Sequence, residues 1–260
     1  MSILEKSMVA PFWLQLCYFA AVILMIGRAK RGLKVPEVQK VPGLDALEEA
    51  IGRATEMGRP VFYSPGIGAV NNSQTMASFA ALGHVARQCA RYDTAIIVAN
   101  RIPFVQPITE EIVRQAFVQE GKPEAYVAEN IRFLSDDQFA YASGCVGLML
   151  RERPAASILI GGFWAESLVM AEVGSQIGAI QIAGTANTAQ LPFFVAVCDY
   201  CLIGDEIYAA GAYLSRDPVL MGNLIAQDWG KMLGIAIVVL GSIIATFTPQ
   251  ANWLVDFLKK

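Results

Sequence analysis

The sequence predicts an α/β protein, a doubly wound, mostly parallel Rossmann-like sheet flanked by two transmembrane helices. Three observations carry that reading. Between Ala156 and Glu206, short apolar runs end at glycine turns and alternate with helical patterns. Ser157-Ile-Leu-Ile-Gly161 runs into Gly162, Ala179-Ile-Gln-Ile-Ala183 into Gly184-Thr185-Ala186-Asn187, and Tyr200-Cys-Leu-Ile203 into Gly204-Asp205-Glu206. Strands covered on both faces read as continuous apolar runs rather than as alternation. The same rhythm occurs earlier in the chain, from Pro60 to Leu134. Finally, 55% of the 260 residues are apolar and the mean hydropathy is +0.44, with long uncharged segments near both ends. An ordinary soluble domain is less apolar than this.

Met8 to Gly27 is a 20-residue stretch whose strongly polar side chain is Gln15. That length matches the ~20 residues a helix needs to cross the hydrocarbon core. Its positive charges follow it, at Arg28, Lys30, Arg31 and Lys34, whereas a secretory signal carries them in front. By the positive-inside rule the N-terminus is expected outside and everything after Arg28 on the cytoplasmic side. This N-terminal helix and its basic flank make a first segment, 1–34.

Residues 35–228 form the expected cytoplasmic α/β domain. A proline-interrupted linker from Val35 to Gly43 leads into Leu44–Ile51, which has helical apolar spacing and is stopped by Gly58-Arg59-Pro60. Pro60–Ser64 reads as the first strand, closed by Pro65-Gly66-Ile67-Gly68. Asn72 or Ser73 caps the next helix, which ends near Arg87 and Arg91, cations suited to a helix C-terminus. Thr94–Ala99 is the second strand, with Asn100 and Arg101 at its exit. Thr109 is expected to cap a helix whose buried stripe is Ile112, Val113, Ala116 and Phe117, ended by Gly121. Ile131–Leu134 is a short third strand, and Ser135-Asp-Asp-Gln138 reads as a capping box for a helix running to Arg151. The three later strands follow. Residues 229–260 close the chain, with an apolar segment Met232–Thr248 as the second membrane helix, Trp253 as an interfacial aromatic, and a tail, Asn252–Lys260, suited to the interface.

The net charge is −3 and no long block of one sign occurs, which excludes a nucleic-acid footprint. Five cysteines at irregular spacing argue against a secreted disulfide framework. Cys198-Asp-Tyr-Cys201 ends a helix and enters a strand, the reverse of a thioredoxin-like placement, so buried core cysteines are the plainer reading. His84, the one histidine, lies inside a helix without a partner motif. No nucleophile elbow, phosphate-loop lysine or paired-histidine metal motif is present in the sequence.

In open α/β sheets ligands sit beyond the carboxyl ends of the strands. That edge is expected to present Gly66, Gly68, Asn72, Asn100, Arg101, Asp136, Asp137, Gly161, Gly162, Glu166, Thr185, Asn187, Asp205 and Glu206. Two readings stay open there. Asp136, Asp137, Asp205 and Glu206 fall in first helical turns, where acids offset the helix dipole, and Asp136, Asp137 and Glu166 are equally the groups a metal-assisted or acid–base hydrolase would use. Gly66-Ile-Gly68-Ala-Val-Asn71 half-matches a dinucleotide fingerprint, but the third glycine is missing and Asn100 stands where an acid belongs. The Gly161-Gly162-Phe163-Trp164 turn either lets a backbone approach a ligand closely or is a tight turn with Trp164 packed beneath it. These residues name no cofactor and no metal site.

Several strings together resemble a family: Ala50-Ile-Gly-Arg-Ala-Thr-Glu-Met-Gly-Arg-Pro60, Leu82-Gly-His-Val-Ala-Arg87, Ser135-Asp-Asp-Gln-Phe-Ala-Tyr141, Ala165-Glu-Ser167, Gln181-Ile-Ala-Gly-Thr185 and Gln227-Asp-Trp-Gly-Lys231. They are similar to a bacterial membrane-anchored family described as a domain of unknown function. The resemblance implies a bacterial membrane protein and transfers no catalytic residue. With no complete catalytic motif beside two anchors, the function expected is a binding or scaffold subunit of a self-assembled or larger membrane complex. A small-molecule- or nucleotide-binding enzyme, or a metal-assisted hydrolase, working at the carboxyl edge is the alternative.

Overall fold

The computed structural model describes residues 9–31, 42–215 and 218–247. Most of the expected linker from Val35, the residues Met8, Lys34 and Thr248, Trp253 and the tail Asn252–Lys260 lie outside them. The chain divides into two compact units, one of Met1–Val38 with Arg216–Lys260 and the other of Gln39–Ser215.

In chain order the elements are α1 (Val9–Lys30), α2 (Pro42–Met57), β1 (Val61–Gly66), α3 (Ser73–Arg91), β2 (Ile96–Asn100), α4 (Gln106–Gln119), β3 (Ile131–Phe133), α5 (Gln138–Glu152) and β4 (Ala156–Gly162). They continue with α6 (Glu166–Gln176), β5 (Ile180–Thr185), α7 (Leu191–Val197), β6 (Tyr200–Ile203), α8 (Glu206–Ser215) and α9 (Pro218–Phe247). The six strands form one sheet in the order β3-β2-β1-β4-β5-β6, every pair parallel. This is the doubly wound order of the Rossmann fold.

Successive side chains of each strand point to opposite faces, so each strand feeds two cores. On one face Leu47 and Ile51 of α2, Leu82 and Val85 of α3, Val113 of α4 and Ile207 of α8 pack on Val61, Val98, Ile158 and Ile182. On the other, Tyr141 and Met149 of α5, Met170 of α6 and Phe194 of α7 pack on Phe62, Ile97, Leu159 and Ala183. The central strands β1, β2 and β4 are buried along their whole length, which is why they lack alternation in the sequence.

Helix starts differ from the expected ones where proline or local hydrogen bonding decides. Thr109 does not cap α4: Pro107, set in the first turn where its missing N–H costs nothing, moves the start back to Gln106. The Thr109 hydroxyl turns back onto the Gln106 carbonyl at 2.9 Å instead. The cap of α5 is Asp137 rather than Ser135. Asp137 Oδ1 accepts from the amides of Phe139 and Ala140 at 3.0 and 2.8 Å, while Ser135 Oγ accepts from the Asp137 amide. Asn72 caps α3 as expected, its Oδ1 taking the Gln74 amide at 2.8 Å.

In the other unit α1 and α9 run antiparallel. A Cβ on Gly222 would lie 2.9 Å from the Ile26 nitrogen, and one on Gly230 would lie 3.0 Å from the Tyr18 ring, so α9 advances as α1 recedes. The expectation of two spanning helices is corrected: among the described residues one helix is long and apolar enough to cross a membrane, over Leu224–Ser242. The apolar stretch of α1 is Gln15–Arg28. At ~1.5 Å per residue it covers about 21 Å, short of the ~30 Å hydrocarbon core. The described part of the segment Met232–Thr248, expected to be a separate helix, is the second part of α9, which runs unbroken from Pro218 to Phe247.

Candidate functional site

The chain leaves β1 toward α3 on one face of the sheet and leaves β4 toward α6 on the other. Adjacent strands whose connections diverge leave a crevice beyond their carboxyl ends, at the point where the strand order reverses. A cavity of about 370 Å³ lies there. Ile67, Gly68, Asn72 and Gln74 line it from the β1–α3 side, Gly162, Phe163 and Trp164 from the β4–α6 side. Arg101, just past β2, and Asn187, just past β5, complete the lining.

The floor is made of backbone. Pro65-Gly66 and Gly161-Gly162 cross at a register shift between β1 and β4, where the Ile67 amide donates to the Gly162 carbonyl at 2.8 Å. Gly66 has φ +84°, and a Cβ on it would overlap the Gly162 carbonyl. A Cβ on Gly161 would lie 2.6 Å from the Pro65 carbonyl carbon. Both positions therefore require glycine, the first for conformation and contact, the second for contact. Beneath them the Gly66 amide donates to Ser64 Oγ at 3.1 Å. Ser64 Oγ in turn bonds the buried Tyr141 hydroxyl at 2.7 Å, and that hydroxyl donates to the Ala99 carbonyl. Burial pushes the Tyr141 phenol far above its ordinary range, so it remains a neutral donor.

The walls are held by amides. Gln74, in the first turn of α3, accepts on Oε1 from Thr185 Oγ1 at 3.0 Å and from the Ala186 amide at 2.7 Å. It ties the start of α3 to the end of β5. Asn187 donates from Nδ2 to the Phe163 carbonyl at 3.1 Å. Arg101 donates from Nη1 to the Ile67 carbonyl at 3.1 Å, and its Nε–H is buried without a partner within the protein. Arg101 is the charged side chain of the lining, and no carboxylate is among the lining residues.

Of the residues expected at the carboxyl edge, Gly68, Asn72, Arg101, Gly162 and Asn187 meet in this crevice, with Gly66 and Gly161 shaping its floor and Thr185 bracing its wall. The others are used elsewhere. Asn100 is fully buried, and its Oδ1 accepts from Thr109 of α4 at 3.2 Å. Asp137 caps α5, with the exposed Asp136 beside it. Glu206 takes the Ile203 amide at 2.8 Å at the start of α8, and Asp205 lies in the same turn, its carbonyl accepting from the Tyr208 amide. Glu166 is fully buried, its Oε1 accepting the Trp164 amide at 2.8 Å and its Oε2 a hydrogen bond from Gln138. Asp136, Asp137 and Glu166 do not converge: among the described residues no three His, Cys, Asp or Glu side chains gather as a metal site would need.

Ile67, Gln74 and Phe163 were not singled out by the sequence. Gln74 reads there as an ordinary first-turn residue, because its partners lie 111 and 112 positions away. Nor is Trp164 packed beneath its turn. Phe163 is the buried one, edge-on to Phe194 with ring centroids 5.6 Å apart, and Trp164 is 59% exposed. Cys198 and Cys201 both pack against the α5–α7 core; burial raises both thiols, that of Cys198 to about 12, which favours the thiol over the thiolate.

No curated protein and no solved structure matches the chain. The model of the family described as Domain of unknown function (DUF6754) matches residues 1–255, and the chain belongs to that family.

Proposed function

We propose that the chain is a membrane-tethered binding subunit whose α/β body takes a small anionic ligand in the crevice between β1 and β4. The observation that carries this is the lining: one guanidinium with a buried, unpartnered Nε–H, amides around it, and no carboxylate. A guanidinium in a lining without a carboxylate is the group an anion pairs with, through charge-assisted bonds. Hydrolysis is not favoured in the crevice, because Asp137 and Glu166 are committed to backbone amides and Asp136 is not among the lining residues.

The tether is α9, with α1 packed antiparallel along it. Of the apolar window in Leu224–Ser242 only 11% is buried within the protein, unlike a core helix, and Ile23 and Leu24 of α1 are exposed as well. Exposed apolar surface on this scale needs lipid or another protein to cover it. We place the body on the cytoplasmic face of a bacterial inner membrane, on the strength of Arg28 and Lys30 at the end of α1, and assign it to a homo-oligomer or a larger membrane complex.

Thermal unfolding of the detergent-purified full chain with inorganic pyrophosphate tests the binding reading. At 100 times Kd the anion should stabilise the protein by about 2.7 kcal/mol, and Arg101→Gln should remove the shift. No shift in the wild type, or an equal shift in both, contradicts it. Extraction of the protein from membranes by alkaline carbonate would contradict the tether.

A further inference from the structure

We infer that the crevice recognises a mononucleotide, with the base stacked on Trp164 and the phosphate held by Arg101. The inference rests on the anion-binding reading of the crevice and adds to it an aromatic ring.

Trp164 is 59% exposed at the edge of the cavity, although the preceding Phe163 is fully buried. Its backbone is clamped from both sides by buried residues. Glu166 Oε1 accepts its amide at 2.8 Å, and Ser167 donates to its carbonyl from Oγ at 2.7 Å and from the amide at 3.1 Å. Both Glu166 and Ser167 are fully buried. An exposed indole on a turn whose backbone is fixed, lining a cavity, is a stacking platform for a base.

Arg101 enters the same cavity from past β2, anchored by Nη1 on Ile67 with its Nε–H unpaired. Gly162 presents bare backbone to the cavity. Size then decides between nucleotide classes. About 370 Å³ is at the low end of the ~300–1,000 Å³ range of small-molecule sites, enough for one base, one sugar and phosphate. Asn100 argues the same way. It stands at the end of β2, where a dinucleotide site carries an acid for the ribose, and it is buried against Thr109 instead.

Calorimetry on the full chain in nanodiscs, using the tightest of AMP, GMP, CMP and UMP, ribose 5-phosphate and the matching nucleoside, tests this. The nucleotide should bind about ten-fold or more tighter than ribose 5-phosphate, the gain typical of one stacked base. Trp164→Ala should bring the nucleotide down to the level of ribose 5-phosphate and leave the latter unchanged. Arg101→Gln should weaken both phosphates and spare the nucleoside. If nucleotide and ribose 5-phosphate bind equally and Trp164→Ala changes nothing, the base site is overturned while the anion site stands. If Arg101→Gln changes nothing, or no phosphate binds, both readings fall.

Discussion

Gly66 and Gly162 are register partners on β1 and β4, and a Cβ on Gly66 would overlap the Gly162 carbonyl and lie 2.9 Å from its nitrogen. Gly66→Ala meets that backbone and must also hold φ +84°. The substitution should cost at least about 2 kcal/mol. In a body of this size that lowers the melting temperature by roughly 4 °C or more. Gly147→Ala is the control: this helical, exposed glycine has open space around it, so alanine should stabilise by about 0.5–1 kcal/mol. Thermal unfolding of the two variants separates a required glycine from an incidental one.

Asp137→Ala separates capping from chemistry. The carboxylate takes two α5 amides, and its loss should cost about 0.5–2 kcal/mol. Asp137→Asn, an equally good cap, should recover most of that. Both variants should leave pyrophosphate binding unchanged, since Asp137 is not in the crevice lining. A loss of binding with Asp137→Asn at full stability would show that the carboxylate touches the ligand.

The strands were legible in the sequence and the crevice only partly. A parallel strand covered on both faces is a continuous apolar run, so each of the six was read within about two residues of its place. Pro60–Ser64 became Val61–Gly66, and Tyr200–Ile203 stayed as read. Glycine turns marked Gly66, Gly68, Gly161 and Gly162 because backbone contact leaves a compositional trace. Gln74 leaves none: an amide in a first helical turn looks the same whether it faces water or clasps Thr185. Nor does the order of residues reveal which of Phe163 and Trp164 turns inward, since Phe194, which receives Phe163, comes from α7. The carboxylates were visible, and so was their alternative use as caps; geometry chose between the two uses.

His84 gives the body a pH dependence. Burial, and then the neighbouring Arg87 charge, lower its pKa below the ordinary 6.5, and its Nε2 is buried without a partner within the protein. Between the lowered folded value and 6.5 the unfolded chain binds more protons, so stability rises with pH. The contribution is fully present above 6.5 and is lost as pH falls through the folded value. Urea unfolding at several pH values should show stability dropping on the acid side of 6.5, and His84→Gln should flatten that part of the curve. An unchanged slope in His84→Gln would contradict the assignment.

Thiol chemistry is expected to be absent from the body. Burial raises the thiols of Cys89, Cys145, Cys198 and Cys201, with Cys145 pushed to about 12. Iodoacetamide at neutral pH should therefore modify these four slowly in the native protein and quickly in denaturant, as mass spectrometry would report. Fast native labelling of Cys198 or Cys201 would reopen a redox reading of that pair.

Hydrogen exchange on the full chain in nanodiscs, with and without pyrophosphate, tests the location of the site most directly. The account predicts slowed exchange confined to the loops that line the crevice, around residues 66–74, 101–105, 162–167 and 185–190. Protection centred instead at the amino edge of the sheet, around Arg59 and Thr94, or no protection at saturating pyrophosphate, would contradict it.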